Sequence, residues 1–186
     1  MRRVMTVRER IIDFFYRQAT GKKKTRVTST LLAGSAFFFT VVLAVIISFY
    51  LDRLLGFPKF IPKVYARVVS LPFLIIGPSL WIWCVSIFLK SKGTPVPVNP
   101  PPKLITEGPY AYSRNPMLTG IFILLAGIGI FFRSVSLVFI TTPVFVLVSV
   151  LEFKYIEEPE LEKRFGNEYS EYRKKTPMII PKLWRD

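Results

Sequence analysis

Four long stretches of the chain carry apolar side chains with no charged residue among them. They cover residues 31–51, 68–89, 117–132 and 134–151. A hydrocarbon layer about 30 Å thick requires about 20 apolar residues per spanning helix. The pattern therefore predicts an all-α, polytopic membrane protein with about four transmembrane helices.

Arg133 separates the last two apolar stretches. A charge is costly in the middle of a bilayer but tolerated at a turn, and one helix through both stretches would overshoot the membrane. The sequence therefore predicts a C-terminal helical hairpin. An antiparallel hairpin would bring the polar residues before 117 and after 151 to the same end of the molecule.

The 26 lysines and arginines outnumber the 12 acidic residues and are unevenly distributed. Nine precede Leu31, four lie from Lys90 to Arg114 and eight lie from Lys154 onward, whereas only five fall on the opposite side of the predicted spans. Because short cytoplasmic loops carry the excess of basic residues, we expect a multi-pass integral membrane protein with both termini in the cytoplasm.

Residues 1–29 form a basic segment in which apolar side chains recur between Arg8, Arg10 and Arg17. The apolar residues are Val4, Val7, Ile11, Ile12, Phe14 and Phe15. This pattern is typical of an amphipathic helix on an anionic membrane surface. Further juxtamembrane charge comes from Lys22, Lys23, Lys24 and Arg26. We expect acidic lipids as partners and no nucleic acid, because the basic cluster adjoins a span.

Residues 30–90 hold the first two predicted spans, and residues 91–186 hold most of the candidate chemistry. Proline-rich residues 92–102 cannot form a helix and are expected to fold as a loop against the helix ends. Asn115 is a suitable N-cap and Pro116 a suitable first helical residue.

After residue 151 the chain becomes amphipathic, with Leu161, Phe165 and Tyr169 at helical spacing. We expect a cytoplasmic amphipathic helix, most of whose charges form a solvated face. Glu157 and Glu158 differ, because a carboxylate so close to an apolar span must be paired or used.

The chain has no histidine and one cysteine, Cys84. This excludes an imidazole base and argues against a transition-metal site, while a carboxylate site for a hard cation stays open. The glycines of Gly127-Ile128-Gly129 lie within an apolar stretch, which favours helix packing over a phosphate loop.

Two polar motifs bracket the predicted hairpin. They are Leu104-Ile105-x-x-Gly108-Pro109-Tyr110-x-x-x-Arg114-Asn115-Pro116-Met117 and Glu157-Glu158-Pro159-x-Leu161-x-x-x-Phe165-Gly166-x-x-Tyr169-x-x-Tyr172, followed by Ile180-Pro181. In this order and spacing they resemble the isoprenylcysteine carboxyl methyltransferase family and the related phospholipid-type membrane methyltransferases of bacteria and archaea. The resemblance covers about half the chain.

The resemblance implies an integral membrane methyltransferase that transfers a methyl group from S-adenosylmethionine to a lipophilic substrate. It implies Glu157 and Glu158 as catalytic residues, and a substrate side formed by Glu157, Phe153 and Lys154. The residues expected at the cofactor are Lys103, Leu104, Ile105, Tyr110, Arg114, Asn115, Pro116, Met117 and Leu118. Tyr110 or Tyr112 could also present a ring face to the sulfonium cation. No metal is implied.

The chain departs from the family pattern at three positions. The family commonly has histidine at Asn115 and tyrosine at Leu118. In the carboxyl methyltransferases an arginine stands at Phe153, where Lys154 could serve only as a neighbouring point charge. The substrate therefore stays open among a prenylcysteine carboxylate, a phospholipid headgroup and a similar small lipid. An amine acceptor would need a base such as Glu157 or Glu158.

Two other functions remain as alternatives. One is a membrane-embedded NADPH-dependent reductase resembling the steroid 5-alpha-reductases, although a phosphate-rich cofactor would require more basic residues than Lys103 and Arg114. The other is a non-catalytic lipid-binding scaffold. A scaffold would explain residues 1–30 but would leave both motifs without a purpose.

Overall fold

A computed structural model describes residues 5–20 and 23–181, with the backbone alone for residues 23–27. Val4, Lys22 and the side chains of Lys23, Lys24 and Arg26, all assigned roles above, lie outside the described part. Seven α-helices are described: α1 (Val7–Thr20), α2 (Lys23–Leu54), α3 (Lys63–Lys90), α4 (Pro116–Phe132), α5 (Thr142–Glu152), α6 (Glu158–Phe165) and α7 (Asn167–Lys175). The described residues contain no strand, which confirms the all-α prediction.

Within the described residues, three segments are long and apolar enough to cross a membrane: Thr28–Leu54, Lys63–Lys90 and Leu137–Phe165. A fourth apolar helix, α4, has 17 residues and is shorter. At about 1.5 Å per residue it extends roughly 25 Å, slightly less than a hydrocarbon layer of about 30 Å. The prediction of a polytopic helical membrane protein is confirmed.

The predicted hairpin turns at Arg133, which adopts the left-handed conformation with φ 58° and ψ 39°. The Ser134 N–H donates to the Gly129 carbonyl at 2.8 Å, and the Arg133 N–H donates to the Ile130 carbonyl at 3.0 Å. These two bonds form a Schellman motif, which ends α4 and pairs two of its last carbonyls. The charge therefore stands at a turn, as the sequence predicted.

The return helix of the hairpin is longer than the sequence predicted. We expected a span ending near Leu151 and a separate amphipathic helix, but α5 continues through a π-helical turn, Phe153–Glu157, directly into α6. The helix continues because nothing before Gly166 ends it, and Pro159 fits in the first turn of α6. Gly166, with φ 57°, separates α6 from α7. The predicted amphipathic residues thus prolong the fourth span.

The helices α3 and α4 approach each other at two glycines. A Cβ atom added to Gly77 would lie 2.7 Å from the Gly120 carbonyl oxygen, and one added to Gly120 would lie 2.8 Å from the Gly77 carbonyl oxygen. Gly127 continues this seam, since its Cβ would lie 2.7 Å from the Cβ of Phe73. Small residues let membrane helices approach closely. The prediction that Gly127 serves helix packing is confirmed.

The proline-rich loop between α3 and α4 folds back onto the end of α3, as predicted. The Gly93 N–H donates to the Phe88 carbonyl at 3.0 Å, and the Thr94 N–H donates to the Asn99 carbonyl at 2.8 Å. Val98 is buried. A side chain at Gly93 would overlap the backbone of Pro101, so the loop closes tightly at this glycine.

Candidate active site

The two motifs that bracket the hairpin meet at one end of the bundle. The Arg114 guanidinium, just before α4, forms an ion pair with the Glu158 carboxylate at the start of α6. Both side chains are buried, with 9% and 7% of their surface exposed. The Tyr172 hydroxyl of α7 donates to the Tyr110 carbonyl at 2.6 Å. The hairpin therefore brings its polar ends together, as predicted.

The C-terminal segment fixes the start of α4. The N–H groups of Arg114 and Asn115 donate to the carbonyls of Pro177 and Met178, at 2.8 and 3.0 Å. The Asn115 side-chain oxygen accepts from the Leu118 N–H at 3.2 Å, so the predicted N-cap is confirmed. Because Asn115 uses this oxygen as a cap, it retains its amide N–H groups for other contacts.

A cavity of about 110 Å³ lies between the loop, the start of α4 and the α6–α7 segment. Its wall contains basic, acidic and aromatic side chains together with apolar ones. The polar and charged residues are Thr94, Lys103, Arg114, Asn115, Glu157, Glu160 and Arg164, the aromatic residues are Phe88, Tyr110, Phe153, Phe165, Tyr169 and Tyr172, and the others are Pro95, Val96, Pro97, Pro100, Pro101, Leu104, Ile105, Met117 and Leu161.

Most of the residues that the sequence assigned to the site line this cavity. They are Lys103, Leu104, Ile105, Tyr110, Arg114, Asn115, Met117, Phe153 and Glu157. Four others lie outside the wall. Pro116 is buried in the first turn of α4, and Leu118 packs against the core cluster of Ile121, Leu125 and Leu137. Glu158 is paired with Arg114.

Lys154 is the fourth residue outside the wall. It is exposed, and its Nζ lies 5.6 Å from the centre of the Tyr155 ring. Tyr112, the second ring considered for a cation, is also exposed and outside the wall, whereas Tyr110 is buried within it. The structure thus distinguishes neighbours that the sequence treated alike.

The expectation of a solvated charged face is wrong for Glu160 and Arg164. Glu160 is 3% exposed, and Arg164 Nε lies 3.5 Å from Glu160 Oε1 inside the cavity wall. Helical spacing from Phe153 and Glu157 places both on one face with them. The helical spacing could have predicted that these two side chains face the cavity, but the many polar residues of the segment suggested solvent exposure instead.

Glu157 lines the cavity without forming a hydrogen bond or an ion pair to the part of the chain that the structure describes. The other acidic side chain of the wall, Glu160, is paired with Arg164, and the buried Arg114 is paired with Glu158. Glu157 is therefore the carboxylate in the wall that is available to a ligand.

The tyrosines of the wall are uncharged at neutral pH. Burial raises the pKa of Tyr110 and of Tyr172 well above the usual range of a phenol. The Tyr110 ring also packs edge-on against Phe88, with 5.5 Å between the ring centres. Tyr110 consequently offers a fixed, neutral aromatic face to the cavity.

Several residues of the wall could hold S-adenosylmethionine, the cofactor that the resemblance implies. Leu104, Ile105 and Met117 form an apolar surface suited to an adenine, and the Tyr110 ring can face a sulfonium cation. Lys103 offers a cation for the cofactor carboxylate. Ligand pockets typically hold about 300–1,000 Å³, so this cavity of about 110 Å³ would have to widen to admit such a cofactor.

Residues 66–168, more than half of the chain, match the phospholipid methyltransferase family. This chain belongs to the phospholipid methyltransferase family. The predicted family is thereby confirmed, and with its apolar helices this family member is an integral membrane protein. The matched range contains most of α3, the loop, the hairpin and α6, and so includes most of the cavity wall.

Two curated relatives of this phospholipid methyltransferase family member are similar over part of their length. It is 38% identical to the protein-S-isoprenylcysteine O-methyltransferase of Schizosaccharomyces pombe over 81 residues, which are 42% of this chain and 33% of that protein. It is 28% identical to the nickel-cobalt-cadmium resistance protein NccN of Alcaligenes xylosoxydans xylosoxydans over 102 residues, 55% of this chain and 43% of that protein.

The chain thus spans less than half the length of these curated relatives. No solved structure matches it significantly. Within the described residues, no three His, Cys, Asp or Glu side chains are grouped closely enough to hold a metal ion.

Proposed function

We propose that this protein is a membrane methyltransferase that uses S-adenosylmethionine to methylate the headgroup of a lipophilic acceptor. The observation that supports the proposal is the cavity at which the two motifs meet, with a neutral aromatic face, a paired basic group and an available carboxylate in one wall. Membership in the phospholipid methyltransferase family agrees with it. When bound, the cofactor would supply an electrophilic methyl group on a sulfonium.

The residues proposed to hold the cofactor are those of the first motif that line the wall. Leu104, Ile105 and Met117 would hold the adenosine part, and Tyr110 would stabilise the sulfonium at about 0.5–2 kcal/mol, depending on desolvation. Lys103 would bind the carboxylate. Arg114 would act mainly through Glu158, because their ion pair joins the two sides of the cavity. Pro116 and Leu118 would position the first turn of α4 rather than contact the cofactor.

The acceptor that this wall favours is an amine headgroup rather than a carboxylate. Phe153 replaces the arginine that holds a carboxylate in the carboxyl methyltransferases, and Lys154 is exposed on the outer side. In its ionised form, Glu157 would repel a carboxylate at short range and attract an ammonium. The S. pombe relative is named for isoprenylcysteine O-methylation. We therefore propose that this chain differs from that relative in its acceptor.

Glu157 would act as the general base for an amine acceptor. An ammonium headgroup must lose a proton before its nitrogen can attack, and a carboxylate within hydrogen-bond reach can accept it. The deprotonated nitrogen would then be free to accept the methyl group that a bound S-adenosylmethionine would supply. Holding the two reactants in line supplies much of the remaining rate enhancement.

The cofactor is tested by ligand titration of the detergent-solubilised protein, followed by thermal stability. S-Adenosylmethionine and S-adenosylhomocysteine should each stabilise the fold, by about 2.7 kcal/mol at 100 times the dissociation constant. NADPH should not. Stabilisation by NADPH alone would support the reductase alternative, and no effect of any of the three would contradict the methyltransferase proposal.

The role of Glu157 is tested by Glu157→Gln, which keeps the size of the side chain and removes its charge. We expect cofactor binding to persist and methyl transfer to phosphatidylethanolamine in mixed micelles to fall by at least a hundredfold. Glu168→Gln, the same change at an exposed residue of α7, is the matched control and should leave transfer unchanged. Equal loss of binding and transfer would place Glu157 at the cofactor instead.

Acceptor class is tested separately with the native protein. Transfer to an amine headgroup should exceed transfer to a farnesylcysteine carboxylate under the same conditions. A preference for the carboxylate would contradict the role proposed for Glu157 while leaving the cofactor proposal intact.

We further propose that both termini lie in the cytoplasm with the cavity, because the loop, α6 and α7 carry many of the basic residues. A cysteine-reactive reagent that does not cross the membrane should label an exposed cysteine placed in α7 only from the cytoplasmic side of oriented vesicles.

A further inference from the structure

Helix α1 is bonded to the segment that carries Phe153 and Glu157. Arg8 Nε donates to the Tyr155 carbonyl at 2.9 Å, across 147 residues of sequence. In a regular helix that carbonyl would accept from the N–H four residues later, but residue 159 is proline and has none. Arg8 therefore supplies a hydrogen bond at the centre of the π-helical turn Phe153–Glu157.

A second set of contacts joins α1 to α6. Lys163 Nζ lies 2.8 Å from Asp13 Oδ1 and 4.3 Å from the centre of the Tyr16 ring. A cavity of about 270 Å³ remains beside these contacts, lined by Met5, Glu9, Ile12, Asp13 and Lys163. The helix is thus held by polar bridges around an open space, and exposed bridges of this kind hold weakly in water.

The opposite face of α1 is apolar and exposed. Val7 is 74% exposed and Phe14 54%, and Ile11 lies between them at helical spacing. Arg10 and Arg17 are exposed on the same helix. α2 begins only three residues after α1 ends and crosses the membrane, so the apolar stripe is held near the headgroups. Basic side chains beside an apolar stripe complement an anionic bilayer surface.

We propose that an anionic bilayer surface binds the outer face of α1, and that α1 so held fixes the Phe153–Glu157 turn through Arg8. Arg8 is then a positioning residue for Glu157. The lipid surface determines how firmly α1, and Arg8 with it, is held against the turn. Only the catalytic consequence rests on the function proposed above.

The lipid contact is tested with a fluorescent label at position 7. The only cysteine of the chain, Cys84, is buried, so a bimane reagent should label Val7→Cys selectively. In nanodiscs of phosphatidylcholine and phosphatidylglycerol, the emission should move to shorter wavelength relative to pure phosphatidylcholine, and high salt should reverse the change. The same emission in both discs would overturn the proposal. This is also the outcome expected if the stripe binds another protein instead of anionic lipid.

The link to the turn is tested by hydrogen exchange of the peptide that contains residues 153–157, in anionic nanodiscs. Arg8→Gln should accelerate its exchange several-fold, and Arg8→Lys should restore part of the protection. Arg53→Gln is the matched control, because it removes the same charge from an exposed position of α2 without removing the bond to Tyr155 or a charge from α1. Equal exchange in the two glutamine variants would overturn the positioning role.

Methyl transfer gives a third, separate measurement. Arg8→Gln should lower kcat while the affinity for S-adenosylmethionine stays within twofold of the native value. A change in affinity without a change in kcat would contradict positioning of Glu157. If the exchange result holds but the native protein transfers no methyl group, the proposed function fails and the structural role of α1 stands.

Discussion

The seam between α3 and α4 lies next to the wall of the cavity in the bundle. The two regions are built from different kinds of residue, glycines at the seam and charged side chains at the wall. At the seam, Gly77 and Gly120 bring the backbones of α3 and α4 so close together that neither position has room for a Cβ atom. At the wall, Arg114 and Glu160 are buried, Glu160 lies beside Arg164, and Arg114 forms the ion pair with Glu158 that joins the start of α4 to α6.

The difference shows how a membrane helix bundle accommodates polar chemistry. The glycine seam fixes the relative position of α3 and α4, because close backbone contact prevents one helix from sliding along the other. The start of α4 is thereby fixed as one side of the cavity, and α6 and α7 close the other side through paired charges. Paired charges cost less to bury than single ones, so the pairs make a polar wall possible at this depth.

The largest effect should come from breaking the buried pair. Arg114→Leu leaves the Glu158 carboxylate without its cation, and we expect a loss of about 3–5 kcal/mol in unfolding free energy. Thermal unfolding in detergent measures it. Arg114→Leu combined with Glu158→Leu should recover most of the loss, since both charges are then absent. An equal loss in the single and double variants would mean that packing, not charge, holds the wall.

A somewhat smaller effect should come from widening the seam. Gly120→Ala would place a Cβ atom 2.8 Å from the Gly77 carbonyl oxygen. Overpacking of this kind costs about 1–3 kcal/mol in unfolding free energy. Gly34→Ala is the matched control, because its Cβ would meet only Val96 Cγ2 at 3.9 Å. The same unfolding assay applies, and equal effects of the two alanines would contradict the seam.

A modest effect is expected where α7 joins the loop. Tyr172→Phe removes the 2.6 Å hydrogen bond to the Tyr110 carbonyl, which should cost about 0.5–1.5 kcal/mol. Because that bond fixes Tyr110, affinity for S-adenosylmethionine should fall as well, measured by calorimetric titration. Glu168→Gln, an exposed change on the same helix, should alter neither quantity.

The smallest effect concerns pH and α1. The hydrogen bond from Lys163 is the main cause that lowers the pKa of Asp13. A carboxyl with a lowered folded-state pKa stabilises the docked helix above its ordinary pKa of about 3.9, and the contribution is lost as pH falls through the lowered value. A label at Val7 should therefore report release of α1 only below about pH 4. Asp13→Asn should remove that dependence.

Much of the scaffold follows from local sequence. The apolar stretches, the turn at Arg133 and the cap at Asn115 were all predicted, because each depends on residues a few positions apart. The extent of the last helix was not predicted, since the polar residues after 151 suggested a break. The structure shows that they continue the same helix.

The sequence by itself determined which residues of the two motifs could carry chemistry, and that a hairpin would bring them together. The tertiary structure alone decided which neighbour faces the cavity: Glu157 faces it while Glu158 pairs with Arg114, and Glu160 is buried in the wall while Lys154 is exposed. Adjacent residues on a helix differ by about 100° in direction, and the π-helical turn Phe153–Glu157 shifts that register within the segment. Helical spacing therefore gives the set of candidates, and only the packed helix gives their directions.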